Sequence, residues 1–204
     1  MKSFKKHLIE NLLFDTSGVI HYNVDKYIEV QPGIMTPLVV NIKATFKDFK
    51  VRSKIAKELA KKVNPKSICI CGIESGGSYY ASVIADLLRK PFVLFRKENK
   101  KYGLKERFVG ELPFKKDGLV TIIDDVIGEG KISTANTKEL MQLDYRVEIC
   151  SIYSYLPEMK DFMKKIRIAY LSDINTLCQV GFKKNIFSKE DIKLIKKECS
   201  YSSK

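Results

Sequence analysis

Apolar residues recur along this chain with two periods, one helical and one strand-like. Phe4, Leu8, Ile9, Leu12 and Leu13 share one face of an expected N-terminal helix. Val51, Ile55, Leu59 and Val63 stand four apart and predict a helix over Phe49–Val63, stopped by Asn64-Pro65. Between these helices lie short strand-like runs, Val19–Tyr22, Tyr27–Val30 and Pro37–Ile42, with a turn at Gln31-Pro32-Gly33.

From Ser67 onward strands and helices alternate. Ser67–Cys71 and Pro91–Phe95 read as buried strands, separated by a helix over Tyr79–Arg89. A run of apolar and β-branched residues from Leu119 leads into Asp124-Asp125, a glycine-rich turn and a helix over Thr134–Leu143. Arg146–Tyr155 reads as a strand with alternation, Phe162–Ile166 as a short helix or turn, and Ile168–Leu171 as another strand. Ser188–Glu198 is a terminal helix opened by a capping box of Ser188 and Asp191. The pattern predicts an α/β fold, a parallel twisted sheet with helices on both faces. Residues 1–204 form a single domain in this reading, with 1–45 as elements of a small N-terminal, hood-like subdomain.

In such a sheet ligands bind beyond the carboxyl ends of the strands. Three connections then meet at one edge: Gly72–Ser78 (GIESGGS), Arg96–Gly110 and Asp124–Ser133. Glycines let backbone approach a ligand, and the first amides of a helix can face a phosphate. An acidic pair suits ribose hydroxyls or a magnesium ion. The charged stretch Arg96–Phe108 has no apolar period and is long for a connection within a compact domain, as many functional loops are. Neither a G-x-G-x-x-G dinucleotide fingerprint nor a Walker A motif occurs.

Composition narrows the picture. The 204 residues carry a net charge of +13, which permits binding to nucleic acid, an anionic membrane or phosphorylated small molecules. The lysines are scattered rather than gathered in one stripe, which leaves nucleic acid a minor alternative. The five cysteines are odd in number and lack C-x-x-C spacing, so neither a disulfide framework nor a zinc site is expected. Cys69 and Cys71 would share one face of a strand as small buried hydrophobes. No apolar run approaches the roughly 20 residues of a membrane span. The basic N-terminus lacks the apolar core of a signal peptide, and a reducing cytoplasm is the expected setting.

With these motifs assembled, Leu119–Ser133 (LVTIIDDVIGEGKIS) resembles the signature with which type I phosphoribosyltransferases bind 5-phosphoribosyl 1-diphosphate (PRPP). Arg96–Gly103 (RKENKKYG), ending in Val109-Gly110, looks like the RKE-x-K-x-H-G loop of the orotate phosphoribosyltransferases. Gly33–Asn41 (GIMTPLVVN) is similar to their N-terminal G-x-x-S-P-x-x-x-N stretch. The resemblance implies transfer of a phosphoribosyl group from PRPP to a nucleobase, orotate, in pyrimidine biosynthesis, with release of pyrophosphate and with Mg2+ as cofactor. It also implies a homodimer in which the Arg96–Gly110 loop serves the neighbouring subunit.

Residue by residue, the resemblance assigns catalysis to Asp124, Asp125, Lys100 and Tyr102. Asp124 and Asp125 would contact ribose hydroxyls and the magnesium, which is held largely through substrate and water. Gly128, Glu129, Gly130, Lys131, Ile132 and Ser133 would cradle the 5′-phosphate. Gly72, Ser75, Gly76 and Gly77, with Arg96, Lys97 and Lys100, would hold pyrophosphate. The chain departs from the family at Tyr102, where the loop has histidine, at Met35 and Gly76, where lysines stand, and at Leu156, where an arginine reads the orotate carboxylate. Gly128, Glu129 and Lys131 replace small and hydroxyl residues in the phosphate loop. Losing a cation that pairs with a desolvated anion costs roughly 2–5 kcal/mol, so these departures bear on the acceptor more than on the fold. The alternatives are transfer to a different base, a non-catalytic PRPP or nucleotide-binding regulator on the same fold, and a basic RNA-binding protein.

Overall fold

A computed structural model describes residues 7–96, 107–128, 131–155 and 166–199. The chain opens with helix α1 (Leu8–Asp15) and four short strands, β1 (Ile20–Tyr22), β2 (Ile28–Gln31), β3 (Ile34–Thr36) and β4 (Leu38–Val40). β1 pairs antiparallel with β4, and β2 with β3. The β2–β3 turn is the expected one: Gly33 has φ +76°, and its N–H donates to Glu29 Oε1 at 3.0 Å. A 3-10 segment, Ile42–Lys47, leads into helix α2 (Phe49–Ala60), whose first amides donate to the Asp48 carboxylate.

A six-stranded sheet follows, in the order β10-β9-β8-β5-β6-β7. Its strands are β5 (Ser67–Ile73), β6 (Phe92–Phe95), β7 (Phe108–Val109), β8 (Leu119–Ile127), β9 (Arg146–Ser154) and β10 (Arg167–Asp173). All neighbours are parallel except the edge pair β6–β7. Helix α3 (Gly76–Leu88) follows β5, α4 (Lys131–Gln142) follows β8, and α5 (Ile174–Lys183) and α6 (Lys189–Cys199) follow β10.

The two-residue period of the strands splits the core into two layers. Ile70, Ile123, Cys150 and Ile152 pack with Tyr80, Ala81 and Ile84 of α3, together with residues of α1, α2, α5 and α6. Cys69, Cys71, Val120, Ile122, Val147 and Ile149 pack on the other face with Leu140 of α4. Cys69 and Cys71 share that face and are fully buried, and burial raises both thiol pKa values. The N-terminal strands join the same core through Leu38 and Val40. Tyr155, just past β9, accepts a hydrogen bond from Val40 N at 2.8 Å, tying β4 to the carboxyl end of the sheet. Thr45 and Tyr80 share a hydroxyl hydrogen bond, and Phe14 and Tyr22 pack edge-on against Phe187.

Several boundaries differ from the sequence reading. β8 continues through both aspartates to Ile127, because the acids are absorbed into the strand rather than starting the turn. α3 begins at Gly76 and α4 at Lys131, each three residues earlier than expected, so the loops before them are tighter. β9 is buried along nearly its whole length, where alternation was expected, since layers cover both faces. α5 was not predicted. Its Asn, Thr and Gly are poor helix formers, but Asp173 caps it through Thr176 N, and Leu177 and Cys178 bury its face. The expected Phe162–Ile166 element lies, apart from Ile166, outside the described residues. No helix among the described residues is long and apolar enough to cross a membrane.

Candidate active site

Because β8 does not end at the acidic pair, its two aspartates leave the strand on opposite faces, while their carboxyl groups remain close enough to interact. Asp124 shares parity with Ile122 and turns toward α4, where Ser133 Oγ donates to its Oδ2 at 2.8 Å. Its Oδ1 accepts from the Asp125 amide at 2.9 Å. Asp125 shares parity with Ile123 and turns toward the start of α3. A Cβ built on Gly76 would stand 1.8 Å from Asp125 Oδ2, so the absent side chain leaves the space this carboxylate fills.

The two acids differ in environment. Asp124 is buried, and desolvation followed by the neighbouring Asp125 charge pushes its pKa up to about 7. Asp125 is half-buried and is the acid of the pair left more open to a ligand.

The turn before α3 sits directly on β8. A Cβ at Gly77 would lie 2.4 Å from Ile123 O and 3.1 Å from Asp124 Cα. Gly72 is as confined, with Ala81 Cβ and Ser78 Cα each 2.8 Å from the position of a Cβ. Ser75 and Glu74 are exposed, joined by a cis peptide bond, and Ser78 Oγ donates to Ser75 O at 2.6 Å. The first amides of α3 and those of α4 therefore open beside the acidic pair. Such termini carry unsatisfied N–H groups and a partial positive charge, which suit phosphate oxygens.

The predicted residues are thus brought together in part. Gly72, Ser75, Gly76, Gly77, Asp124, Asp125, Gly128 and Ser133 lie around one sheet edge. Lys131 and Ile132 form the first turn of α4. Arg96 follows β6, and its amide donates to Arg107 O at 2.9 Å, so the charged loop leaves and returns at a closed stem. Lys97, Lys100, Tyr102, Glu129, Gly130 and Leu156 lie outside the described residues. Met35 is half-exposed on β3.

Sequence reading passed over Arg107, whose guanidinium reaches across to α4. Nη2 donates to Asn136 Oδ1 at 2.7 Å. Nε lies 2.9 Å from Glu139 Oε2, off the axis of a hydrogen bond, which makes that contact an ion pair. Nothing in the charge pattern of the loop sets this arginine apart from its neighbours.

The donor set bears on a metal. Among the described residues no three carboxylate, thiol or imidazole side chains gather into a cluster. Each Asp124 oxygen already accepts one hydrogen bond, which makes the half-buried Asp125 the more open carboxylate of the pair. That set fits an ion such as magnesium that keeps water and takes most of its ligands from a substrate.

Comparison with known proteins gives this geometry a context. No established family profile matches the chain. The orotate phosphoribosyltransferase of Listeria innocua is 28% identical over 171 residues, covering 80% of this chain and 81% of that one. The solved structure of Leishmania donovani UMP synthase superposes with a TM-score of 0.77 at 19% identity, over 95% of this chain and 42% of that longer one. Orotate phosphoribosyltransferase from Aeropyrum pernix superposes with a TM-score of 0.67 at 19% identity, over 89% of this chain and 97% of that one. In sequence the chain is similar to orotate phosphoribosyltransferases, and its fold is that of the solved type I phosphoribosyltransferases.

Proposed function

We propose that this protein transfers the 5-phosphoribosyl group of PRPP to a ring nitrogen of a nucleobase, with orotate the leading acceptor, and releases pyrophosphate. The observation that carries this reading is the meeting of Asp125 with the glycine turn before α3, beside the start of α4. A phosphorylated sugar needs this combination: amides for two phosphate groups and a carboxylate between them for ribose hydroxyls.

In this reading Asp125 accepts hydrogen bonds from the ribose hydroxyls. Asp124 supports it from below, held by Ser133. The residues from Gly128 to Ser133 take the 5′-phosphate on the amides that open α4. Gly72–Gly77 and the cations Arg96, Lys97 and Lys100 take the pyrophosphate, with Tyr102 donating a hydrogen bond. The base nitrogen bonds to C1 as the bond from C1 to the pyrophosphate oxygen breaks, the electron pair leaves with pyrophosphate, and the proton of the ring nitrogen is lost to solvent. Asp125 would hold a magnesium ion together with substrate and water oxygens, and the ion would supply neutralisation of the pyrophosphate charge. The protein acts as a homodimer in which residues 96–110 serve the neighbouring subunit.

A second reading is a PRPP-binding protein that does not turn over. Gly76 favours it, because the lysine of the family is absent there and Asp125 fills the space.

A panel of bases with PRPP and Mg2+, read by pyrophosphate release, separates these readings. Release with orotate but not with uracil or purines is the expected result. Release with another base moves the acceptor. Thermal stabilisation by PRPP without release for any base selects the binding protein. Indifference to PRPP, with RNA affinity that falls steeply with salt, overturns the proposal.

A further inference from the structure

The strongest unassigned feature is the link between the stem of the charged loop and helix α4. Arg107 reaches α4 with its guanidinium, and three kinds of contact hold it in place. Its carbonyl accepts from Arg96 N at 2.9 Å and closes the stem. Its guanidinium grips Asn136 and Glu139 on α4, at 2.7 Å and 2.9 Å. Its Cζ also lies 5.9 Å from the centroid of the Phe95 ring, which stacks with Phe108 at 4.4 Å. Phe95 is fully buried, so the stem is anchored in the core.

The same face of α4 carries Ser133, Asn136 and Leu140, spaced three and four apart. Ser133 holds Asp124, Leu140 is fully buried in the core, and Asn136 is 1% exposed. Asn136 therefore has a buried amide oxygen whose partner comes from another element. Removing that partner leaves the oxygen unsatisfied and frees α4 to shift relative to β6 and β8.

Resting on the function proposed above, we propose that Arg107 is a positioning residue. It locks α4 to the loop stem and thereby sets Ser133, Asp124 and the opening amides of α4 for the phosphorylated sugar. It touches no reacting atom. A displacement of about 1 Å in such a constellation is enough to cost on the order of 100-fold in rate or affinity.

Three variants test this: Arg107→Met, Glu139→Ala and the double variant. PRPP affinity is read by calorimetry and, where turnover occurs, KM and kcat are read for PRPP and for the base. Arg107→Met is expected to weaken PRPP at least 10-fold, to leave the KM for the base unchanged, and to retain a cooperative melt. Glu139→Ala is expected to reproduce part of that loss, and the double variant to be no worse than Arg107→Met. Arg107→Lys should recover part of the affinity, since an ammonium can pair with Glu139 but not span to Asn136 as well. Unchanged PRPP affinity in Arg107→Met overturns the proposal. So does additive loss in the double variant, which would make Arg107 a direct substrate contact. If the unaltered protein does not bind PRPP, the failure lies with the proposed function instead.

Discussion

Asp124 and Asp125 are adjacent in sequence, yet one faces α4 and the other α3, and their chemistry follows from that division. The glycines opposite Asp125 should respond differently to the same change. Gly76→Ala puts a methyl group against a carboxylate, the movable end of a side chain. It should displace Asp125 and cut kcat/KM by about 100-fold while the melting temperature changes little. Gly77→Ala puts the methyl group against the backbone of Ile123 and Asp124, which cannot turn aside. It should cost roughly 1–3 kcal/mol of stability, read in urea unfolding. Asp124 adds a pH dependence. Its folded pKa is raised to about 7, above its unfolded value of about 3.9. The free protein therefore has the full contribution of the protonated group below about pH 4 and loses it as pH rises to about 7. Asp124→Asn keeps the hydrogen-bonding shape without the charge. Melting curves across that range should show the variant gaining on the unaltered protein with rising pH, by several degrees at pH 8. Parallel curves would assign the slope to other groups.

Among the elements, β9 shows how much a polar position can hide within an apolar run. Glu148 is 1% exposed and lies in register between Thr121 of β8 and Arg167 of β10. It accepts from Asn64 N at 2.7 Å and Thr121 Oγ1 at 2.6 Å, and it pairs with Arg167. One carboxylate thus ties three adjacent strands and the connection after α2 at the amino end of the sheet. Glu148→Ala leaves the Asn64 amide unsatisfied and the Thr121 hydroxyl with Ser67 Oγ as its remaining partner, with an expected loss of about 2–5 kcal/mol in urea unfolding. The candidate site occupies the opposite end of the strands, so the PRPP affinity of the folded protein should not change. The strand itself was legible in the sequence, but its burial on both faces was not, because a run such as Arg146–Tyr155 does not say how many layers will cover it. Helix α5 escaped for a related reason: its stability comes from the Asp173 cap and from packing against α1 and α6 rather than from propensity.

At the scale of the whole molecule, one core cluster joins the first and last parts of the chain. Ile9, Leu13, Leu38 and Val40 pack with Leu177, Cys178, Phe187 and Ile195. Thr36 Oγ1 meets Cys199 Sγ at 3.1 Å, so β3 is tied to the last helix. These contacts hold the N-terminal strands at the end of the sheet where the acids lie. The sequence alone determined the alternation of strands and helices, the glycine turns and the acidic pair, because each is written in local periodicity and residue type. It could also carry the family likeness, which depends on the spacing of a few motifs. Only the tertiary structure decided which way each aspartate faces, that Gly76 gives its space to Asp125, and that Arg107 reaches α4. Those facts depend on strand register and on elements far apart in the chain, and a one-residue slip in register reverses the face of every side chain in a strand.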